Sequence, residues 1–146
     1  MNWQKEAIED LKNYNNLKEG IKSLKLRINS LNNNYKAIKT GDFSMQKVQG
    51  GKNKSSDERL IDNIAQRERL ALVLKADQML AERIEQGLQA LNEQERLVIE
   101  ELVIKDKKNA IIELSRTLAY EKSKIYTMRN EAIRKFTIFM YGITEY

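Results

Sequence analysis

Between Tyr14 and Ile38 the apolar side chains fall at Tyr14, Leu17, Ile21, Leu24, Ile28, Leu31, Tyr35 and Ile38, at spacings that alternate three and four. A repeat of this period keeps one narrow apolar stripe on a single face of a helix. A helix that packs alone on a globular core carries a wider apolar arc, so this stripe asks for a partner helix. Nothing interrupts it, since the chain has no proline and only six glycines. The pattern predicts a helix from Trp3 to Thr40, with Gly41 as its stop.

Residues 57–90 repeat the theme, with Leu60, Ile61, Ile64, Leu70, Ala71, Leu74, Met79, Leu80, Ile84 and Leu88 at helical spacing and Ser56 or Asp57 at the capping position. Two long helices joined by a reversing loop predict an antiparallel, coiled-coil-like hairpin over residues 1–90, with a parallel homodimer through the first seam as the alternative. A hairpin buries only one stripe per helix, so further burial is expected from self-association or from packing against the C-terminal domain. The connecting segment, about residues 40–56, holds paired Gly50 and Gly51 with Lys47, Lys52 and Lys54. It reads as a solvated connector, or alternatively as a basic finger that touches phosphate or a partner protein.

Composition narrows the chemistry. The 146 residues include neither cysteine nor histidine. Disulfides, thiolate or imidazole metal ligands and the usual proton shuttle are thereby removed, so no enzymatic activity, metal or cofactor is expected. No apolar run approaches the ~20 residues of a membrane span, and the N-terminus lacks the apolar core of a signal peptide, so a cytoplasmic protein with neither a membrane nor a small-molecule substrate is expected. Charge is segmented: residues 1–54 hold eleven basic and five acidic side chains, residues 55–104 six and eleven, and residues 105–146 nine and five. The first two blocks can neutralise each other in a hairpin. The third is left to attract an external anion.

That third block lies in a predicted domain over residues 91–146. Asn92 followed by Glu95 has the form of a capping box, opening a helix with Leu97, Val98, Leu102 and Val103 on its apolar face. A charged turn at 105–109 leads to a short helix, 110–118, with Ile111, Leu114 and Leu118 inward. The beat breaks at Ala119–Glu121 and resumes from Lys122 to about Tyr141, before Gly142. On this last helix Ile125, Met128, Ala132, Phe136 and Phe139 share one face, while Ser123, Tyr126, Thr127, Asn130 and Arg134 share another, with Lys122 and Lys124 at its start. Taken alone, such a helix has a core face and a solvated face. Preceded by a short helix and a three-residue turn, it has the layout of a helix-turn-helix, in which the second helix enters the major groove N-terminus first. Hydroxyls and amides there suit base edges and the lysines suit phosphates, so DNA contacts are expected at Lys122, Ser123, Lys124, Tyr126, Thr127, Asn130 and Arg134. Arg129 falls among the apolar positions and reads as structural, pairing with Glu113.

The segments "LNEQERLVIEEL" and "AIIELSRTLAYEKSKIYTMRNEAIRKF" resemble the domain by which sigma-70-type factors read the promoter −35 element. Leu91, Glu95, Arg96, Val98 and Ile99 match its opening helix, Leu118 its turn, Ile125 its buried aliphatic, and Ala132, Ile133, Lys135 and Phe136 its terminal motif. The whole chain is similar to phage-encoded sigma-like regulators of the ArpU and RinA group, including a "VQGG" loop at residues 48–51. The resemblance places groove-reading positions on Lys122, Ser123, Tyr126 and Thr127, with Lys124 near the backbone. Two positions depart from the pattern: Ala119 stands where the family has glycine, and Glu121, a helix-cap candidate, where it has serine.

The resemblance implies a regulator, an activator of phage or prophage genes that works on double-stranded DNA with host RNA polymerase, as a homo-oligomer, expected to be a dimer, in the bacterial cytoplasm at the nucleoid. Nothing matches the sigma domain that melts the −10 element. The alternatives are a small-terminase-type DNA-packaging protein, which also joins such a domain to oligomerising helices, and a coiled-coil adaptor that binds no DNA.

Overall fold

The computed structural model describes residues 1–41 and 55–144; the basic loop with its "VQGG" motif lies outside the described residues. Every regular element among the described residues is helical. These are α1 (Trp3–Thr40), α2 (Ser56–Gln89), α3 (Glu93–Ile99), which continues as a π-helical turn (Glu100–Ile104), α4 (Ala110–Leu118) and α5 (Lys122–Tyr141). Gly41 and Gly142 follow α1 and α5 at φ 76° and 80°. In this left-handed region a side chain would be strained, which is why the helices end there. The start of α2 lies one residue earlier than expected, because the Ser55 hydroxyl accepts the Glu58 N–H at 3.2 Å.

The chain divides into two compact units, one of Met1–Lys18 with Met79–Tyr146 and the other of Glu19–Gln78. Ala7, Leu11 and Tyr14 of α1 and Ile84 and Leu88 of α2 share one apolar core with Leu91, Ile99, Val103, Ala132, Ile133, Phe136 and Met140. Burying that surface ties both helix ends to α3 and α5, at roughly 25 cal/mol for each Å² removed from water.

In the unit of Glu19–Gln78 the heptad stripe is covered only in part. Leu24, Ile28, Leu31 and Tyr35 are half-buried, whereas Ala37 and Ile38 are buried. Polar contacts set the register here. Buried Asn63 donates its Nδ2–H to the Leu31 carbonyl at 2.8 Å, and Arg67 donates to Asn32 Oδ1 at 2.7 Å while its guanidinium lies 4.6 Å from the Tyr35 ring centre. An amide with few ways to be satisfied tolerates fewer registers than an apolar seam does.

In the other unit α3 opens with the expected capping box: Asn92 Oδ1 accepts the Glu95 N–H at 2.8 Å and Glu95 Oε1 accepts the Asn92 N–H at 3.2 Å. The next residue serves a different helix end. Arg96 donates to the carbonyls of Leu88, Gln89 and Leu91, at 3.1, 3.4 and 3.3 Å, and so satisfies acceptors that the end of α2 leaves open. Where the sequence predicts an uninterrupted helix to Ile104, the hydrogen-bond ladder widens, with the Lys105 N–H reaching the Glu100 carbonyl at 2.9 Å. One continuous element faces two clusters: within α3, Val98 enters a second core with Leu114, Ile125 and Met128 while Ile99 enters the first, and Val103 of the π-helical turn joins the first as well.

Helix α5 is divided between the same two cores, and its buried face differs from the expected one. Ile133, Thr137 and Met140 are buried because the start of α1 packs into their core, whereas Phe139 is exposed beneath the Arg83 guanidinium, 5.4 Å from its ring centre. Gly87 of α2 packs directly against α5. A Cβ there would lie 2.7 and 2.9 Å from ring carbons of fully buried Phe136.

The two ends of this unit are fastened together. Trp3 stacks on Tyr141 with ring centres 4.8 Å apart, the Trp3 backbone N–H donates to the Thr144 carbonyl at 2.9 Å, and the Tyr141 hydroxyl donates to the Asp10 carboxylate. Burial, then the hydrogen bond to Asp10, then the charges of Asp10 and Glu6 push the Tyr141 phenol well above its ordinary range. Burial and the charge of Glu85 also raise Tyr14.

Two outcomes are expected. Gly87→Ala should destabilise the protein by about 1–3 kcal/mol, because the Phe136 ring has nowhere to move; Gly20→Ala, with nothing within 4 Å of its added carbon, should stabilise α1 by roughly 0.5–1 kcal/mol. Urea unfolding of the two variants checks both signs. A phenol with a raised folded-state pKa contributes stability that is complete below the unfolded value of about 10 and is lost as pH rises from there through the folded value. Thermal melts should therefore fall more steeply above that pH in the wild type than in Tyr141→Phe.

Candidate nucleic-acid interface

The segment between α4 and α5 turns on three residues. Ala119 adopts φ 57° and ψ 36°, the left-handed conformation that closes α4, and Glu121 is extended at φ −65° and ψ 153° before α5 begins. The turn is braced from both sides. The Ser115 hydroxyl donates to the Tyr120 carbonyl at 2.7 Å, and the Tyr120 hydroxyl lies 3.3 Å from Gln94 Oε1 of α3. Glu121 does not cap α5 through its side chain, contrary to expectation; the helix closes through its backbone, with the Ile125 N–H on the Glu121 carbonyl at 3.2 Å. Its carboxylate is exposed at the helix start.

From this turn α5 sends Ile125, Met128, Ala132 and Phe136 inward, which fixes the rotation of the whole helix. Lys122, Ser123, Lys124, Tyr126, Thr127, Asn130 and Arg134 are all exposed. At 100° per residue, Ser123, Tyr126, Thr127, Asn130 and Arg134 lie on one strip, with Lys122 and Lys124 to either side at the N-terminal end. Tyr126 is half exposed, at 51 %, which leaves an aromatic surface in solvent next to the two lysines.

The hydroxyls are not equivalent. Thr127 donates to the Ser123 carbonyl at 3.0 Å, so its hydrogen is directed back into its own helix and its oxygen faces outward as an acceptor, beside its methyl group. Such a group suits an amino edge or a thymine methyl. The two ends of the strip also differ in their surroundings. Asn130 and Arg134 line a solvent-open cavity of about 530 Å3 together with Gln4 and Ile8 of α1, whereas none of the residues from Lys122 to Thr127 lines it.

Arg129 departs from its expected role. It is half-buried, donates to Asn130 Oδ1 at 3.4 Å and lines the same cavity, and among the described residues no ion pair joins it to Glu113. Two further functional candidates escaped sequence reading: Gln4 and Ile8 sit beside this face by tertiary packing alone. The charged turn before α4 is closed by Glu101, whose carboxylate lies 2.9 Å from Lys105 and 3.3 Å from Lys107. The hydrogen bond from Lys105, the largest cause, holds that carboxyl below its usual range.

Among the described residues, no cluster of three or more acidic, histidine or cysteine side chains is placed to hold a metal, and no helix is long and apolar enough to cross a membrane. Searches of family models, curated proteins and solved structures find no match to this chain.

Ala119 pays a local strain of roughly 1–2 kcal/mol for its left-handed backbone, part of which glycine would regain in the unfolded chain as entropy. Ala119→Gly should therefore stabilise the protein by about 0.5–1 kcal/mol while leaving the exposed strip of α5 unchanged, as read by thermal denaturation and by backbone amide shifts of residues 122–130.

Proposed function

We propose that the chain is a sequence-specific DNA-binding transcriptional regulator in which α4 and α5 act as a sigma-like helix-turn-helix. One observation carries the reading. The first two turns of α5 project two lysines, two hydroxyls and a tyrosine from a helix whose opposite face is locked into two cores. A rigid helix with that chemistry at its N-terminal end enters a major groove without needing to reorganise. Its lysines take phosphates, and Ser123, Tyr126 and Thr127 take base edges.

The resemblance to the ArpU and RinA group extends the proposal to an activator of phage or prophage genes that works with host RNA polymerase from the cytoplasm. The long helices then form an antiparallel hairpin that sets a dimer or offers polymerase a surface. Pairings in each unit support the direction: Tyr14 feels Glu85 in one, and Leu31 bonds Asn63 in the other.

A second reading, a small-terminase-type packaging protein, is favoured by the exposure of Ile61 and Leu72 on α2, at 65 % and 71 %, since a ring would cover apolar surface that a dimer leaves open. Light scattering separates the two: a dimer supports the regulator, and a ring-sized particle supports packaging. A coiled-coil adaptor predicts no retention of DNA even at low salt.

For the regulator, Lys122→Ala and Lys124→Ala should weaken every DNA sequence alike, each lowering the logarithmic salt slope by about one. Thr127→Ala should instead relax preference at one base pair by roughly 1–3 kcal/mol. Binding titrations on selected and random duplexes over a range of salt measure both, and equal effects of all three changes on the two duplexes would remove the base-reading role.

A further inference from the structure

Beside the first turns of α5, α1 and α5 line a hollow that brings Arg129 and Gln4 next to Asn130 and Arg134, the C-terminal members of the expected contact strip. The cavity of about 530 Å3 is lined by Gln4 and Ile8 of α1 and by Arg129, Asn130, Glu131, Ile133 and Arg134 of α5. Two arginines and two primary amides, Gln4 and Asn130, thus line one solvent-open hollow. Glu131 shares it, but neither arginine is ion-paired with that carboxylate or with any other among the described residues. Arg129 is half-buried as a residue, and its guanidinium is oriented by its donation to Asn130 Oδ1 at 3.4 Å.

The charges of α1 are sorted to match. Asp10 accepts from Tyr141, and Glu6 also acts on that phenol. Helical spacing puts Lys5 and Lys12 three and four residues from Ile8, hence on the cavity side of α1, about a quarter-turn or more from Asp10. Two acids of this stretch, Glu6 and Asp10, thus face Tyr141, Glu9 is exposed between the two faces, and Lys5 and Lys12 border the hollow.

We infer that Arg129 and Arg134, with Gln4, form a site for one backbone phosphate of a duplex whose groove is occupied by the start of α5. The assignment rests on the DNA-binding reading above and deepens it. A guanidinium presents parallel N–H donors that fit two phosphate oxygens, and an amide adds a third donor; a point charge on a free stem would not orient the anion in this way. The phosphate lies toward the C-terminal end of the α5 strip, where α1 replaces open solvent. The contact therefore fixes how far the helix lies along the groove, a positioning task that carries no base preference. It also gives the first turns of α1 a role in DNA binding that neither their sequence nor the predicted domain boundary suggested.

The test has two arms on the full chain. In the first, inorganic phosphate is titrated into the wild type while the arginine Nε–H resonances are followed by NMR. Saturable shifts of Arg129 and Arg134, absent from Arg129→Gln, are expected, and no shift at either arginine overturns the site whether or not DNA binds. In the second, duplexes carrying a single neutral methylphosphonate are scanned along each strand. Arg129→Gln should lower the salt slope by about one and lose the wild type's sensitivity to methylphosphonate at one position, while the positions contacted by Lys122 and Lys124 stay sensitive. A uniform loss at every position, together with a lowered melting temperature, assigns Arg129 a merely structural role and overturns the proposal. Phosphate shifts without DNA retention at low salt overturn the assignment of that phosphate to a duplex, and with it the DNA-binding reading. DNA binding with a normal Lys122 effect but no phosphate shifts leaves that reading standing and removes only this site.

Discussion

The adjacent pair Glu95–Arg96 holds three helices with two side chains. Arg96 gathers three carbonyls around the end of α2, and Glu95 caps α3 while its second carboxylate oxygen lies 2.9 Å from the ammonium of Lys135 on α5. The Leu88 and Leu91 carbonyls and the Asn92 N–H are helix-end groups in a part-buried region beside Leu88, Leu91, Val98 and Ile99. Leaving such a buried group unmade costs about 1–3 kcal/mol, more when it is charged. The geometry is directional where the apolar cores are not. The cores decide that α2, α3 and α5 associate, and the Glu95–Arg96 pair decides how they are turned.

Once those angles are set, the presentation of α5 is set with them. Its inward residues are shared between two clusters, so the helix cannot rotate without emptying one of them. From the other side α3 and the π-helical turn after it supply both clusters, Val98 one of them and Ile99 and Val103 the other. The outward strip of α5 is therefore pre-positioned by packing, and under the proposed function this keeps the ordering cost of binding low. The strained Ala119 and the unused cap at Glu121 sit where α5 begins, next to the side chains proposed to contact DNA. A strained backbone of this kind persists where the surrounding structure over-determines the conformation.

The sequence resolved local chemistry well. Trp3, Thr40, Ala110, Leu118, Lys122 and Tyr141 end or begin helices as expected, because glycine stops, the capping box and the apolar beat all act within one or two turns. The exposure of the seven candidate residues on α5 was likewise legible, since burying Ile125, Met128, Ala132 and Phe136 leaves their opposite face in solvent. Less legible were the π-helical turn and the burial of Ile133, Thr137 and Met140. Both depend on surface contributed from far along the chain, and a periodicity read within one helix carries no record of its neighbours. Arg129 shows the limit most clearly. Its position among apolar residues suggested a structural ion pair, yet its surroundings include Gln4 and Ile8, more than a hundred residues away.

What the sequence determined by itself is the helical character of the chain, the ends of nearly every helix and the chemistry along each face, because these are set by dihedral preference, hydrogen-bond capping and side-chain spacing within a few residues. Only the tertiary structure decided that the first turns of α1 and the last of α2 belong to the same compact unit as α3, α4 and α5. That outcome is a competition among all apolar surfaces for one another. It is won by shape and area, as at Gly87 against Phe136, and neither is written in the order of the residues.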